Sequence, residues 1–65
     1  MLAPLAANVR RLRRRRGWSV EDLASHAGVD TAAVVAVEFG RDVEVVVCVK
    51  LARALGVSPG VLLGG

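Results

Sequence analysis

The chain has 65 residues with one cysteine and one histidine, so it is read as one small domain over residues 1–65 with no internal disulfide and no tetrahedral metal site. Nine Lys+Arg stand against six Asp+Glu, and six of the nine lie between Arg10 and Arg16, a concentration that calls for an anionic partner such as DNA, RNA or an acidic membrane. No apolar run reaches the roughly 18 to 20 residues of a membrane span, and the arginines follow the N-terminal apolar stretch where a signal peptide would have them first, so a cytoplasmic protein is expected.

Leu5, Val9 and Leu12 recur at helical spacing, Pro4 suits a first helical turn, and Gly17 ends that first helix. Ser19 followed by Asp22 has the form of a capping box, which opens a second helix running to about Ala27. Gly28 falls where a tight turn needs a positive φ, and Asp30 is placed to cap a third helix that continues to about Glu38 and stops at Gly40. Leu23, Ala24 and Ala27 form the inner face of the second helix, and Val34 and Val37 that of the third. The segment from Val43 to Val49 holds five valines and locally favours a strand. A lone strand would have no partner, however, and Cys48, Leu51, Ala52 and Leu55 share a helical face that ends at Gly56. A fourth helix is therefore expected. Ser58-Pro59 then opens a short fifth helix through Leu63, with no repeat, linker or second domain along the way.

The ordered set Gly17-Trp18-Ser19-Val20-Glu21-Asp22-Leu23-Ala24, Ala27-Gly28-Val29, Val34 and Val37-Glu38-Phe39-Gly40 resembles the Xre-like helix-turn-helix domains of the phage Cro and repressor type. Leu51-Ala52-Arg53-Ala54-Leu55-Gly56-Val57 is similar to the ending of that family's fourth helix, and the likeness runs from about Leu5 to Leu63. The resemblance implies an all-α, compact five-helix bundle whose helix-turn-helix is made by helices 2 and 3. It also implies a homodimer on double-stranded operator DNA with helix 3 in the major groove. Two departures stand out: Val20 replaces the family's usual glutamine, and the connection after Gly40 is about one residue short and lacks a proline.

Arg13 lies four residues after Val9, toward the core side, and Glu38 ends the third helix, where the macrodipole disfavours a negative charge. The resemblance implies that the two form a partly buried ion pair; two solvated side chains are the plainer alternative. The other helix 1 arginines form rows, Arg10 with Arg14 and Arg11 with Arg15. Arg10, Arg14, Arg41 and Ser19 are the expected phosphate contacts, against the alternative of a solubilising charged face.

The resemblance gives base reading to Thr31, Ala32, Val35 and Ala36. These residues can pack on thymine methyl groups but offer no bidentate donor pair, so hydrogen-bonded readout is expected to be weak and DNA shape to matter. A patch of Val35 and Phe39 with Val43 and Val46 would instead serve a protein partner. Val61, Leu62 and Leu63 are the expected dimer surface, and Phe39 is the partner surface of the alternative reading. Trp18 is expected at the core boundary, His26 exposed, and Cys48 as a small buried hydrophobe. With one histidine and no P-loop there is no catalytic constellation, and no enzyme activity, cofactor or metal is expected. The function expected is that of a sequence-directed DNA-binding transcriptional regulator, a repressor of prokaryotic or phage origin. The alternative is a helix-turn-helix-like dimerisation or protein-interaction module of antitoxin type. Non-specific DNA or RNA binding stands third.

Overall fold

The computed structural model describes residues 3–41 and 43–64, and among these the chain forms helices joined by turns and short irregular segments, with no strand. Five helices follow in order: α1 (Ala3–Arg15), α2 (Val20–Ala27), α3 (Thr31–Glu38), α4 (Val45–Leu55) and α5 (Pro59–Leu62). Leu5 and Val9 of α1, Leu23 and Ala24 of α2, Val34 and Val37 of α3, Leu51, Ala52 and Leu55 of α4 and Leu62 of α5 meet in one buried cluster. Every helix contributes to it, so the cluster fixes each one relative to the others. This common core also settles the valine-rich segment: burial of Leu51, Ala52 and Leu55 at helical spacing overrides the local β preference, and α4 begins at Val45.

The ends of α2 are set by local chemistry. The Ser19 hydroxyl oxygen accepts from the Asp22 N–H at 3.0 Å, and the Asp22 carboxylate accepts from the Ser19 N–H at 2.9 Å. At the other end Gly28, at φ 72°, donates its N–H to the Ala24 carbonyl at 2.9 Å, and Val29 donates to the same oxygen at 3.1 Å. This left-handed residue turns the chain from α2 into α3. The hydrogen bonds from Ser19 hold the Asp22 carboxyl below its ordinary value of 3.8. A lowered carboxyl stabilises the fold above its unfolded-state value and loses that effect as pH falls through the folded-state value. Asp22→Asn is therefore expected to unfold more readily than the parent at neutral pH, with the difference vanishing below the carboxyl's range in acid melts.

Asp30 departs from expectation. It has the extended backbone of an N-cap, φ −69° and ψ 147°, but its side chain accepts no capping hydrogen bond. The residue is exposed, so water solvates the carboxylate and α3 starts on the Asp30 carbonyl alone, which accepts from Ala33 at 3.0 Å. α5 is opened as expected by Ser58, whose hydroxyl accepts from the Val61 N–H at 3.3 Å, with Pro59 at the first helical position. Leu62 is fully buried, so it is a core residue and not part of a dimer surface. Of three consecutive apolar residues on so short a helix, packing turns one inward and leaves Val61 and Leu63 outside. Leu62→Ala should cost about 2 kcal/mol in urea unfolding, the low end for a buried leucine, because a terminal four-residue helix can settle into the gap.

Candidate nucleic-acid interface

α3 presents two contrasting sides. Val34, Val37 and Glu38 are buried against the rest of the bundle, while Thr31 and Ala32 are exposed and Val35 and Ala36 are half-buried toward solvent. The four residues expected to read bases therefore share the outer surface of one short, rigidly held helix. Phe39 follows them with 69% of its surface exposed, and the Arg41 guanidinium lies 5.9 Å from its ring centre. That contact sets a cation at the C-terminal end of the face.

The helix is locked at this end by Glu38. Arg13 donates from Nε to Oε2 at 2.6 Å and from Nη2 to Oε1 at 3.0 Å, a two-point contact with both side chains largely out of solvent. Its Nη1 donates to the Trp18 carbonyl at 2.9 Å, so one guanidinium ties α1, the segment before α2 and α3 together. The hydrogen bond to Glu38 raises the Arg13 pKa above its ordinary value. Arg10 joins the same point: its Nη2 donates to the Glu38 carbonyl and its Nε lies 3.7 Å from Oε1. Arg10 is thus held on the C-terminus of α3, with 39% of its side chain still exposed. The carbonyls left open at that helix end attract the cation, which the position of Arg10 on α1 alone does not reveal.

The remaining arginines divide between scaffold and surface. Arg16 donates to the Leu55 carbonyl at 3.0 Å, closing the end of α4, and Arg11 donates to Asn8, which itself donates to the Leu62 carbonyl at 3.0 Å. Arg14 and Arg15 are exposed, and their guanidinium groups have no hydrogen-bond or ion-pair partner among the described residues. Ser19 is exposed, and its hydroxyl oxygen is engaged in the capping box, which leaves the hydroxyl hydrogen for an outside acceptor.

On the other flank of α3 an open groove of about 520 Å³ is bordered by Gly28, Asp30, Ala33, Glu44, Val46 and Lys50, among others. Lys50 stands there beside the N-terminal half of α3, a cation that the sequence pattern does not single out because α4 carries it outside any motif. Asp30 and Glu44 share the groove, so it is not a phosphate cradle on its own. Phe39 opens on a different groove, with Ala6, Ala7, Arg10, Glu38 and Gly40, so Val46 and Phe39 do not line one groove together. Trp18 is half-buried as expected, whereas His26, though exposed, stacks on it at 4.1 Å with the rings 11° apart. Cys48 is half-buried, and burial pushes its thiol above 9.0.

A family model described as a helix-turn-helix domain matches residues 4–63. The chain belongs to that family. Its Xre-like character agrees with its relatives. This helix-turn-helix domain is 44% identical over 62 residues to a hypothetical transcription factor of Neisseria meningitidis serogroup B (strain ATCC BAA-335 / MC58). That match covers 94% of the chain and 58% of the relative, so the domain spans a little over half of that protein. In structure it resembles the crystal structure of the Neisseria transcription factor NHTF, with a TM-score of 0.88 and 43% identity over 95% of this chain and 72% of the other. It is also similar to the restriction-modification controller protein C.AhdI of Aeromonas hydrophila, with a TM-score of 0.85, 40% identity and 94% of each chain covered. The helix-turn-helix domain is thus a transcription-regulator type of fold, and no helix among its described residues is long and apolar enough to cross a membrane.

Proposed function

We propose that this chain is a sequence-directed DNA-binding transcriptional regulator, a repressor of prokaryotic or phage origin acting in the cytoplasm. It binds double-stranded DNA as a homodimer, with α3 in the major groove and arginines on the phosphates. The observation that supports this best is the outer surface of α3: it is left open while the core and the Arg13–Glu38 contact hold the helix from behind. Relatives named as a transcription factor and a controller protein point the same way. Thr31, Ala32, Val35 and Ala36 meet the bases, and Arg14, Arg41 and the Ser19 hydroxyl meet the backbone. Val61 and Leu63, 45% and 56% exposed, are assigned to the dimer contact. No catalysis, cofactor or metal enters this reading.

Arg41→Gln is expected to weaken binding alike on all sequences and to lower the salt slope by about one for each chain bound. Sedimentation of the protein with a duplex selected from a random pool tests the assembly. Two chains per duplex on half-sites about 10 base pairs apart fit the reading, and one chain per duplex contradicts it. The 69% exposure of Phe39 favours a second reading, in which the apolar face docks a protein partner. Under that reading Phe39→Ser disrupts association with the partner and spares DNA affinity.

A further inference from the structure

We infer that α3 recognises its half-site through the 5-methyl groups of thymine, so that its ligand is a duplex with adjacent T·A pairs at the centre of each half-site. This inference rests on the proposal that α3 enters the major groove. Thr31, Ala32, Val35 and Ala36 offer that groove three purely aliphatic side chains and one methyl-bearing hydroxyl residue. No arginine, lysine, asparagine or glutamine stands on α3, so the two-point contacts that select guanine or adenine have no donor there. Among the major-groove features of the four bases, the thymine methyl is the one that an aliphatic surface can favour, because contact removes apolar area from water on both sides. Hydrogen-bonding edges of the other bases would lose water against Ala32, Val35 and Ala36 and gain no partner from them, and the single Thr31 hydroxyl, which donates and accepts alike, does not choose among them.

The dimensions agree. Four residues of helix rise about 6 Å from Ala32 to Ala36, close to two base steps of about 3.4 Å along one strand. Two or three neighbouring methyl groups therefore fit beneath Thr31, Ala32, Val35 and Ala36. At the far end Phe39, with Arg41 beside its ring, extends the apolar edge and adds a cation suited to a phosphate. The cation supplies affinity without sequence information, and the methyl contacts supply the choice.

The test uses a duplex enriched from a random-sequence pool and titrated with the intact protein by fluorescence anisotropy. Deoxyuridine is then placed at each thymine in turn, which removes one methyl group and leaves base pairing unchanged. Each methyl under α3 should be worth about fourfold in affinity, and removing two in each of two half-sites should cost on the order of a hundredfold. Thr31→Ser removes the matching protein methyl from both chains of the dimer and keeps the hydroxyl; it should weaken binding to the thymine duplex about sixteenfold, about fourfold for each chain, and leave binding to the deoxyuridine duplex unchanged. An enriched duplex whose affinity survives every deoxyuridine overturns the methyl reading while DNA recognition stands. Failure of any sequence to enrich overturns the major-groove proposal itself, and the inference with it.

Discussion

Replacing both Ala32 and Ala36 by aspartate is expected to reduce affinity for a selected duplex at least a hundredfold while leaving the fold intact. The two positions stand on the outer face of α3, one exposed and one half-buried, and neither belongs to the core cluster. Each new carboxylate would enter a groove walled by phosphates and lose water without meeting a cation. A single mismatched contact in such an interface costs about 1 to 3 kcal/mol, so the four misplaced charges of a bound homodimer, about 4 to 12 kcal/mol together, exceed a hundredfold, about 2.7 kcal/mol. The effect on stability is smaller: aspartate costs about 0.7 kcal/mol against alanine in a helix interior, and at Ala32, in the first turn, the macrodipole offsets part of it. A thermal melt of the double variant within a few degrees of the parent, together with lost binding, places the defect at the interface. Unchanged DNA affinity would remove α3 from the DNA.

Glu38→Gln is expected to lower the melting temperature by about 12 to 24 °C, the shift that corresponds to about 3 kcal/mol in a domain of this size. Glutamine keeps the shape of the side chain and loses the charge that holds Arg13 at 2.6 and 3.0 Å. Arg13 would then be left largely out of solvent without its counter-charge, keeping the Trp18 carbonyl and the amide oxygen as acceptors and facing an NH2 donor where the second carboxylate oxygen stood, and Arg10 would lose its charged partner while keeping the residue 38 backbone carbonyl. The loss belongs at the low end of the range for a broken buried pair because the Trp18 carbonyl and the glutamine amide oxygen still accept from Arg13. It still weighs heavily, since a chain of 65 residues has a total stability of only about 3 to 10 kcal/mol. Replacing both partners together, Arg13→Met with Glu38→Leu, should be milder than Glu38→Gln, because no unpaired charge remains. A melt of Glu38→Gln that matches the parent would show that the contact does not hold the fold.

The parts of this fold that are legible in the sequence are those decided within a few residues. The capping box of Ser19 and Asp22, the left-handed turn at Gly28 and the helical spacing of Leu5, Val9 and Leu12 each follow from local chemistry. The position of Arg13 toward the core and of Glu38 at a helix end likewise makes sense only if they meet, and both lie on the pattern. What the pattern does not carry is pairing across the bundle. Arg10 finds a carbonyl 28 residues away, and Arg16 one 39 residues away, because helix ends expose acceptors that no spacing rule announces. Leu62 is hidden for a different reason. A four-residue helix is too short for periodicity to choose among Val61, Leu62 and Leu63, and only packing against the other helices does so. Asp30 carries the right residue type for a cap and has the right backbone, yet its exposed carboxylate stays with water.

Under the proposed function this small bundle reads DNA sequence and does not merely adhere to it. The most direct measurement is a pair of anisotropy titrations, one with a duplex enriched from a random pool and one with its scrambled counterpart, across a series of salt concentrations. A preference of more than about tenfold for the enriched duplex is expected to persist as salt rises, with both affinities falling as phosphate contacts are screened. Equal and steeply salt-dependent binding of the two duplexes would contradict it, leaving the arginines as a non-specific cation surface behind an α3 that reads nothing.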